Sequence, residues 1–331
     1  MADDVQKSIV LDFTYTTDTY DLFTQAEVYG KVITKMAEAD KNIVVLTSDM
    51  TRSNKTGDFK KTFPERFFNF GIAEANMFAA SAGMATCGKI PFVTTFAVFA
   101  SLRCAEMIRT DIAYPNLPVR IIATHAGLSQ GNGGTTHHST EDIAILRSMA
   151  NMTVIVPADS IETGKAVAAT AKLPGPVYIR IGRALEPMAY PDDSYDYTIG
   201  KAVVMRDYGK DAAVIACGVA VKAACDAADE LKDNGIKIRV INMHTIKPLD
   251  VDTLMKAAAD TGKIITAEEH STVGGLAGAV SEALTEAGVA VKFKKLGVPD
   301  IFSAIGYPDE LYARYKINKD GIAETVKSIV S

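Results

Sequence analysis

Short apolar runs alternate with amphipathic helical patterns along most of this 331-residue chain. The runs lie at residues 41–50, 65–71, 89–100, 119–127, 151–159 and 175–183, and helical periodicity fills residues 22–40, 72–86 and 160–173. Most of these runs are continuously apolar, which is typical of parallel strands buried on both faces. The alternation therefore predicts an α/β fold with a mostly parallel sheet and helices on both faces.

A second unit follows a linker at residues 188–200, which combines proline, acids and tyrosines. Two apolar runs at 201–207 and 211–218 flank Tyr208 and Gly209, and this spacing predicts a β-hairpin. Helical and apolar segments then alternate to a terminal helix at 321–330. We expect three parts: an N-terminal arm at 1–20, a first domain at 21–190 and a smaller α/β domain at 191–331.

Composition argues against several classes of partner. The formal net charge is -5, so no nucleic-acid or membrane partner is expected. The four cysteines have no metal-binding or disulfide spacing, which favours a reducing, cytoplasmic location. The N-terminus lacks the apolar core of a signal peptide, and no apolar run has transmembrane length.

An acidic residue, Glu74, stands in an apolar setting within residues 68–77, FNFGIAEANM. No lysine or arginine occurs between Phe67 and Gly88. A carboxyl group buried here at a helix start would hold or share a proton near neutral pH, as proton-transfer chemistry requires. The alternative is an acid that only satisfies free N–H groups at the helix N-terminus, and this stretch alone favours that alternative.

Aromatic and imidazole side chains follow the next two strands. Phe96 and Phe99 lie at the C-terminal end of the third run, His125 lies at the end of the fourth, and His137 lies in a glycine-rich loop beyond it. The carboxyl ends of parallel strands meet at one edge of a sheet, so these groups are expected to converge with Glu74. Each has a simpler explanation: phenylalanines spaced i, i+3 pack in cores, and loop histidines are solvated. Their joint placement favours a pocket for a flat heteroaromatic cofactor and a polyhydroxylated substrate.

Several motifs in order carry a family resemblance. They read FNFGIAEANM, TTFAVFASLR, ATHAGLSQGNGGTTHHSTEDIAILRSM, VIVPADSIET, MHTIKPLD and EEHSTVGGLAGAVSEAL. Together they resemble the pyrimidine-binding and C-terminal domains of transketolase. The resemblance implies a thiamine-diphosphate-binding fold followed by a smaller transketolase C-terminal-like domain. The implied activity is transfer of a two-carbon ketol unit from a ketose to an aldose.

The resemblance covers only one half of the family's cofactor site. The other half binds the diphosphate through Mg²⁺ with a GDG motif and a later asparagine, and the only similar sequence here is GDF at Gly57. The resemblance therefore implies the C-terminal subunit of a split transketolase. Its N-terminal partner would carry the diphosphate and Mg²⁺ ligands, this chain would supply no metal ligand, and the assembly would be α2β2.

Roles carried over from the family fall on named residues. Catalytic roles fall on Glu74 and His137, with Glu74 hydrogen-bonded to the aminopyrimidine ring. Cofactor-binding roles fall on Glu74, Phe96, Phe99, Asp49 and Ile72. Substrate-binding roles fall on Ser53, His125, His137 and Arg183, with Arg180 as the alternative to Arg183.

Three positions depart from the family pattern. Gly133 replaces an aspartate that reads a substrate hydroxyl, Gln25 replaces a phosphate-binding arginine, and Leu102 replaces a further aromatic residue. Losing an arginine removes a charge-assisted contact to phosphate. The departures favour a modified ketose, or one with a different anionic end group.

Three other functions remain open at this point. A beta subunit of a pyruvate-dehydrogenase-type complex has the same size and layout, but the loop around His137 favours transketolase. Deoxyxylulose-phosphate synthase is usually one long chain. A non-catalytic regulatory subunit would have lost the acid, whereas Glu74 is present.

Overall fold

The computed structural model describes residues 23–331, so the predicted arm at residues 1–20 lies outside the described residues. Seven strands form the first sheet: β1 (Ile43–Thr47), β2 (Phe67–Asn69), β3 (Ile90–Phe96), β4 (Arg120–Thr124), β5 (Thr153–Ile155), β6 (Val177–Arg180) and β10 (Thr245–Lys247). Their order is β10-β5-β6-β4-β3-β1-β2, and all are parallel except β10. This confirms the predicted α/β class with a mostly parallel sheet.

Helices connect these strands and cover both faces of the sheet. They are α1 (Gln25–Ala39), α2 (Gly57–Thr62), α3 (Glu74–Thr86), α4 (Ala105–Met107), α5 (Asp142–Arg147) and α6 (Ser160–Ala169). Two π-helical turns, Phe99–Arg103 and Ile108–Ala113, flank α4. Thr24 starts α1 with a capping box, since its hydroxyl accepts from the Glu27 amide and its own amide donates to the Glu27 carboxylate.

The core follows the two-sided burial of the strands. Ile43 and Val45 pack in one buried cluster, and Val44 and Leu46 pack in a second one. Successive side chains of a strand point to opposite faces, so β1 contributes to a layer on each side of the sheet. Because both faces of the sheet exclude water, a strand such as β1 needs a continuous apolar run.

A second, five-stranded sheet has the order β12-β11-β8-β9-β7. Its strands are β7 (Val203–Asp207), β8 (Ala213–Ala216), β9 (Arg239–Asn242), β11 (Lys263–Ser271) and β12 (Lys292–Val298). Its helices are α7 (Ala220–Asp233), α8 (Val251–Thr261), α9 (Leu276–Glu286), α10 (Pro308–Arg314) and α11 (Lys319–Val330).

The predicted hairpin around Tyr208 and Gly209 is wrong. β7 pairs antiparallel with β9, while β8 lies between β9 and β11 as a parallel strand. The physical reason is burial: every residue of β8 is buried, which requires a central position, whereas β7 is partly exposed and occupies an edge. The intervening turn instead contacts the segment before β9, where the Tyr208 amide donates to the Ile238 carbonyl.

One short strand joins the two sheets. β10, from the second half of the chain, pairs antiparallel with β5 at the edge of the first sheet. Just before it, the His244 carbonyl accepts from the Val156 amide at 2.7 Å. The sequence analysis did not predict β10, because three residues carry no periodicity. Among residues 23–331, no helix is both long enough and apolar enough to cross a bilayer.

Candidate active site

The Glu74 carboxyl group is buried at the first position of α3. A turn at Gly71, with φ of 66°, leads from β2 to this helix, and the Glu74 side chain is 7% exposed. Ala73 precedes it and offers no side-chain cap. Met77 and Phe78, one turn further, pack in the core and fix the helix. Burial of this acid agrees with the apolar setting seen in the sequence.

Arg103 contacts Glu74, which the sequence analysis missed. Its Nη1 lies 3.2 Å from Oε1 and 3.4 Å from Oε2 of Glu74. The guanidinium carbon also lies 4.2 Å from the ring centroid of Phe99. The π-helical turn Phe99–Arg103 places these two side chains on one side, and such turns are frequent at functional sites. The only signal in the sequence was the i, i+4 spacing of an aromatic residue and an arginine.

The aromatic and imidazole rings form one cluster. Phe96 lies 5.7 Å from Phe99 and 3.8 Å from His125 between ring centroids, with interplanar angles of 22° and 26°. The His137 ring lies 5.6 Å from Phe99 at 67°. The structure therefore brings together the five residues Glu74, Phe96, Phe99, His125 and His137, through Arg103 and the rings. The convergence predicted from the strand ends is present.

His125 is held in a strained and buried position just after β4. Its φ is 58°, a left-handed conformation that is uncommon for residues other than glycine and that clusters at functional sites. Burial lowers the pKa of its imidazole to about 3, assisted by the charges of Arg183 and His137. Nδ1 shares a hydrogen bond with the Thr124 hydroxyl at 3.0 Å. The ring is therefore a neutral hydrogen-bonding group at pH 7.

Asp49 lies at the end of β1, as predicted, but takes part in a separate network. Its φ is 61°, its amide donates to Asn69 Oδ1 at 2.9 Å, and its own Oδ1 accepts from Asn69 Nδ2 at 3.2 Å. Asn69 Oδ1 also accepts from the Gly71 amide at 3.1 Å. The network ties the ends of β1 and β2 to the turn that precedes Glu74.

Three other predicted residues are exposed. Ile72 is 80% exposed beside Glu74, Ser53 lies in the loop before α2, and Arg183 follows β6. Among residues 23–331, no hydrogen bond or ion pair joins their side chains to the ring cluster. Arg183 forms no ion pair with Glu186 within the same range, although its charge acts on His125.

Arg180 is not an alternative to Arg183. Its guanidinium is 3% exposed and lies 2.9 Å from Asp142 and 3.6 Å from Glu269. It also donates to the carbonyls of Ser139 and Glu269. Arg180 therefore joins the loop after His137 to strand β11, and it has no free donor face for a substrate.

Two of the departing positions have structural explanations. A side chain at Gly133 would place its Cβ 2.8 Å from Gln130 Cγ and 3.0 Å from His137 Cβ, so Gln130 fills the place where the family has aspartate. Gln25 is buried, and it bonds the carbonyls of Pro157 and Asp159 and the Gly182 amide. Gln25 thus ties α1 to two loops rather than facing solvent.

Family comparison agrees with this architecture. Residues 23–188 match the transketolase pyrimidine-binding domain, and residues 200–322 match the transketolase C-terminal domain.

Several relatives have similar length. The chain is 41% identical over 299 residues to a putative transketolase C-terminal section from Methanocaldococcus jannaschii, covering 90% of this chain and 93% of that protein. It is 40% identical to one of the subunits of an apulose-4-phosphate transketolase from Phocaeicola vulgatus, covering 91% and 96%. It is 35% identical to a 6-deoxy-6-sulfo-D-fructose transketolase subunit from a Clostridium species, covering 92% and 93%.

A solved structure described as a split gene transketolase, inactive beta4 tetramer, superposes with a TM-score of 0.86 and 41% identity, covering 93% of this chain and 98% of that one. The two sheets and the buried acid beside stacked rings thus define the pyrimidine-binding and C-terminal halves of a thiamine-diphosphate-type fold. The chain belongs to the transketolase family.

Proposed function

We propose that this chain is the C-terminal, or beta, subunit of a two-subunit, thiamine-diphosphate-dependent transketolase. It would move a two-carbon ketol unit from a ketose with an anionic terminus to an aldose. The observation that carries the proposal is the buried Glu74 carboxyl group at the carboxyl edge of the first sheet, where the Arg103 guanidinium links it to the Phe99 ring. The division into domains at residue 190 and a cytoplasmic location are parts of the same proposal.

The described residues fit the aminopyrimidine end of the cofactor. A buried acid offers a hydrogen-bonding edge, and the face of Phe99 offers a stacking surface. Within residues 23–331, no group of three or more His, Cys, Asp or Glu is arranged to hold a metal ion. The diphosphate and Mg²⁺ ligands are proposed to lie on the N-terminal partner subunit, as the family resemblance implies.

Each residue of the cluster has a chemical task in this proposal. The bound cofactor supplies the carbanion chemistry. Glu74 holds or shares a proton at the pyrimidine ring nitrogen, and Phe96 and Phe99 set the plane of that ring. His137 is half-buried at the edge of Phe99 and would contact substrate hydroxyls. His125 is neutral and would bond a polar group of the substrate without adding charge.

The end of the substrate far from the reacting carbon is proposed to carry an anionic group, which Arg183 binds. Arg183 is exposed and has no ion-pair partner among residues 23–331, so its donors are available. Ser53 would join it in holding the end group. Two of the relatives are named for their sugars, one of which bears a phosphate and the other a sulfonate. These names support an anionic terminus on the substrate without fixing which anion it is.

The partner subunit would cover the cofactor half-site. Ile72 and Leu102, which flank Glu74 and Arg103 in the sequence, are 80% and 52% exposed. Large apolar side chains at such a site suit a protein interface. We propose an α2β2 assembly, because closed symmetry is the norm for such complexes.

Reconstitution tests the proposal. The chain would be mixed with an N-terminal transketolase subunit, thiamine diphosphate and Mg²⁺, and assayed with phosphorylated, sulfonated and neutral ketoses. We expect transfer to an aldose only with both subunits, and highest efficiency with an anionic ketose. Full activity of the single chain, or oxidative decarboxylation of pyruvate by the pair, would contradict the proposal.

A further inference from the structure

Arg103 makes the two contacts that the proposed function reserves for the cofactor ring. Its Nη1 lies within 3.4 Å of both Glu74 oxygens, and its guanidinium carbon lies 4.2 Å from the Phe99 centroid. A guanidinium is planar and carries N–H donors at its edge. An aminopyrimidine is also planar and presents nitrogen atoms at its edge. Both groups therefore suit an acid at the edge and an aromatic ring on the face.

The two states of Glu74 exclude each other. An ion pair with a guanidinium keeps a carboxylate in its charged form. The proposed function instead requires the carboxyl group to share a proton with a ring nitrogen. The oxygens that would make this contact are the ones that Nη1 approaches in the structure.

We propose that Arg103 is an internal competitor of the cofactor, which leaves Glu74 when the aminopyrimidine ring binds. We call Arg103 with its contacts to Glu74 and Phe99 the arginine latch. This inference rests on the proposed function, since it assumes that the ring binds between the same partners. It adds a residue that controls cofactor affinity through Glu74 and takes no part in the transfer itself.

The latch is able to open because packing does not lock it. The Arg103 side chain is 55% exposed, whereas Glu74 is 7% exposed. Among residues 23–331, Glu74 is the only acid that pairs with Arg103. Closed, the latch compensates a buried carboxylate that would otherwise lack a partner, which is costly in a protein interior.

Calorimetric titration of the assembled two-subunit enzyme with thiamine diphosphate tests the latch. Arg103→Met removes the competitor and should tighten Kd by about two- to fivefold, the range expected for a partly exposed ion pair. Arg103→Lys keeps the charge without the planar guanidinium, and its Kd should lie between those of the wild type and Arg103→Met. Arg109→Met is the matched control, because Arg109 is exposed on the same helical segment. An unchanged or weaker Kd for Arg103→Met would overturn the latch.

Unfolding of this chain alone provides a second readout. Arg103→Met should lower the urea midpoint when Glu74 is present and leave it unchanged in a Glu74→Gln background. Equal drops in both backgrounds would show that Arg103 acts through other contacts, and would overturn the latch. If the two-subunit enzyme binds no thiamine diphosphate with either wild-type Arg103 or Arg103→Met, the proposed function is wrong, and the latch is wrong with it.

Discussion

The imidazole of His125 is stacked on Phe96, with ring centroids 3.8 Å apart and an interplanar angle of 26°. The stacked pair joins the end of β4 to the end of β3, which lie side by side in the sheet. The histidine is 7% exposed, and a protonated ring there would lose its hydration. Burial of the ring against Phe96 therefore favours neutral His125 and makes the stability of the fold sensitive to acid.

The free energy of unfolding should decrease as the pH is lowered, because His125 takes up a proton more readily in the unfolded chain than in the fold. Its pKa is about 3 in the fold against 6.5 for the free side chain, so the unfolded state binds the proton first as pH falls below 6.5. The stabilisation is present above pH 6.5 and is lost between 6.5 and 3. From pH 7 to pH 5, this one group should cost ~2 kcal/mol.

The measurement is urea unfolding at pH 7 and pH 5, followed by circular dichroism because the chain has no tryptophan. His125→Asn, which tolerates the left-handed backbone, should lose less stability over this interval than the wild type. The buried His244 is present in both proteins and cancels. Equal pH dependence in the wild type and His125→Asn would remove His125 from this role.

Glu74→Gln should leave the fold intact and lower turnover of the assembled enzyme by about 10²-fold or more, because an amide cannot hold the shared proton. The measurement is exchange of the cofactor C2 proton by NMR. The control is Glu106→Gln, an exposed acid on α4, which should exchange at the wild-type rate. Wild-type exchange in Glu74→Gln would exclude this acid from the activation step.

Restoring the family's aspartate at Gly133 should fail unless Gln130 is shortened. The new Cβ would lie 2.8 Å from Gln130 Cγ and 3.0 Å from His137 Cβ. Gly133→Asp should therefore lose about 1–3 kcal/mol, and Gln130→Ala combined with it should recover most of that loss. Thermal unfolding is the measurement, with Gly57→Asp as control, since its side chain meets open space. A Gly133→Asp variant as stable as the wild type would show that the loop around Gly133 rearranges without an energetic cost, which would contradict the prediction.

The sequence was informative where periodicity and strand order decide the structure. The apolar runs predicted strands β1 to β6 of the first sheet, and the carboxyl ends of β3 and β4 placed Phe96 near His125. Local patterning also located Glu74 at a helix start. These features depend on residues close in sequence or on the known geometry of parallel sheets.

The missed features depend on contacts between distant residues. Arg103 reaches Glu74 from a π-helical turn, and the two residues lie 29 positions apart in the sequence. β7 joins β9 because the buried β8 takes the central position. The place of Gln130 beside Gly133 depends on a loop that has no periodicity. Such contacts are set by tertiary packing, which overrides local pattern.

The substrate's far end gives the sharpest test of specificity. Arg183 is exposed after β6, and its charge acts on His125. Arg180 is withdrawn into its pairs with Asp142 and Glu269, so it cannot replace Arg183. If the ketose carries a terminal anion, Arg183→Ala should raise KM about ten- to a hundredfold, the ~1.5–3 kcal/mol of a hydrogen bond to a charged group.

The same variant should leave saturated turnover with hydroxypyruvate nearly unchanged, because that short donor supplies its two-carbon unit without reaching Arg183. This split separates uniform binding from stabilisation of the transition state. Arg314→Ala, an exposed arginine at the end of α10, is the matched control and should change neither parameter. An Arg183→Ala enzyme with wild-type KM and substrate preference but a lower melting temperature would assign Arg183 to folding rather than to substrate binding.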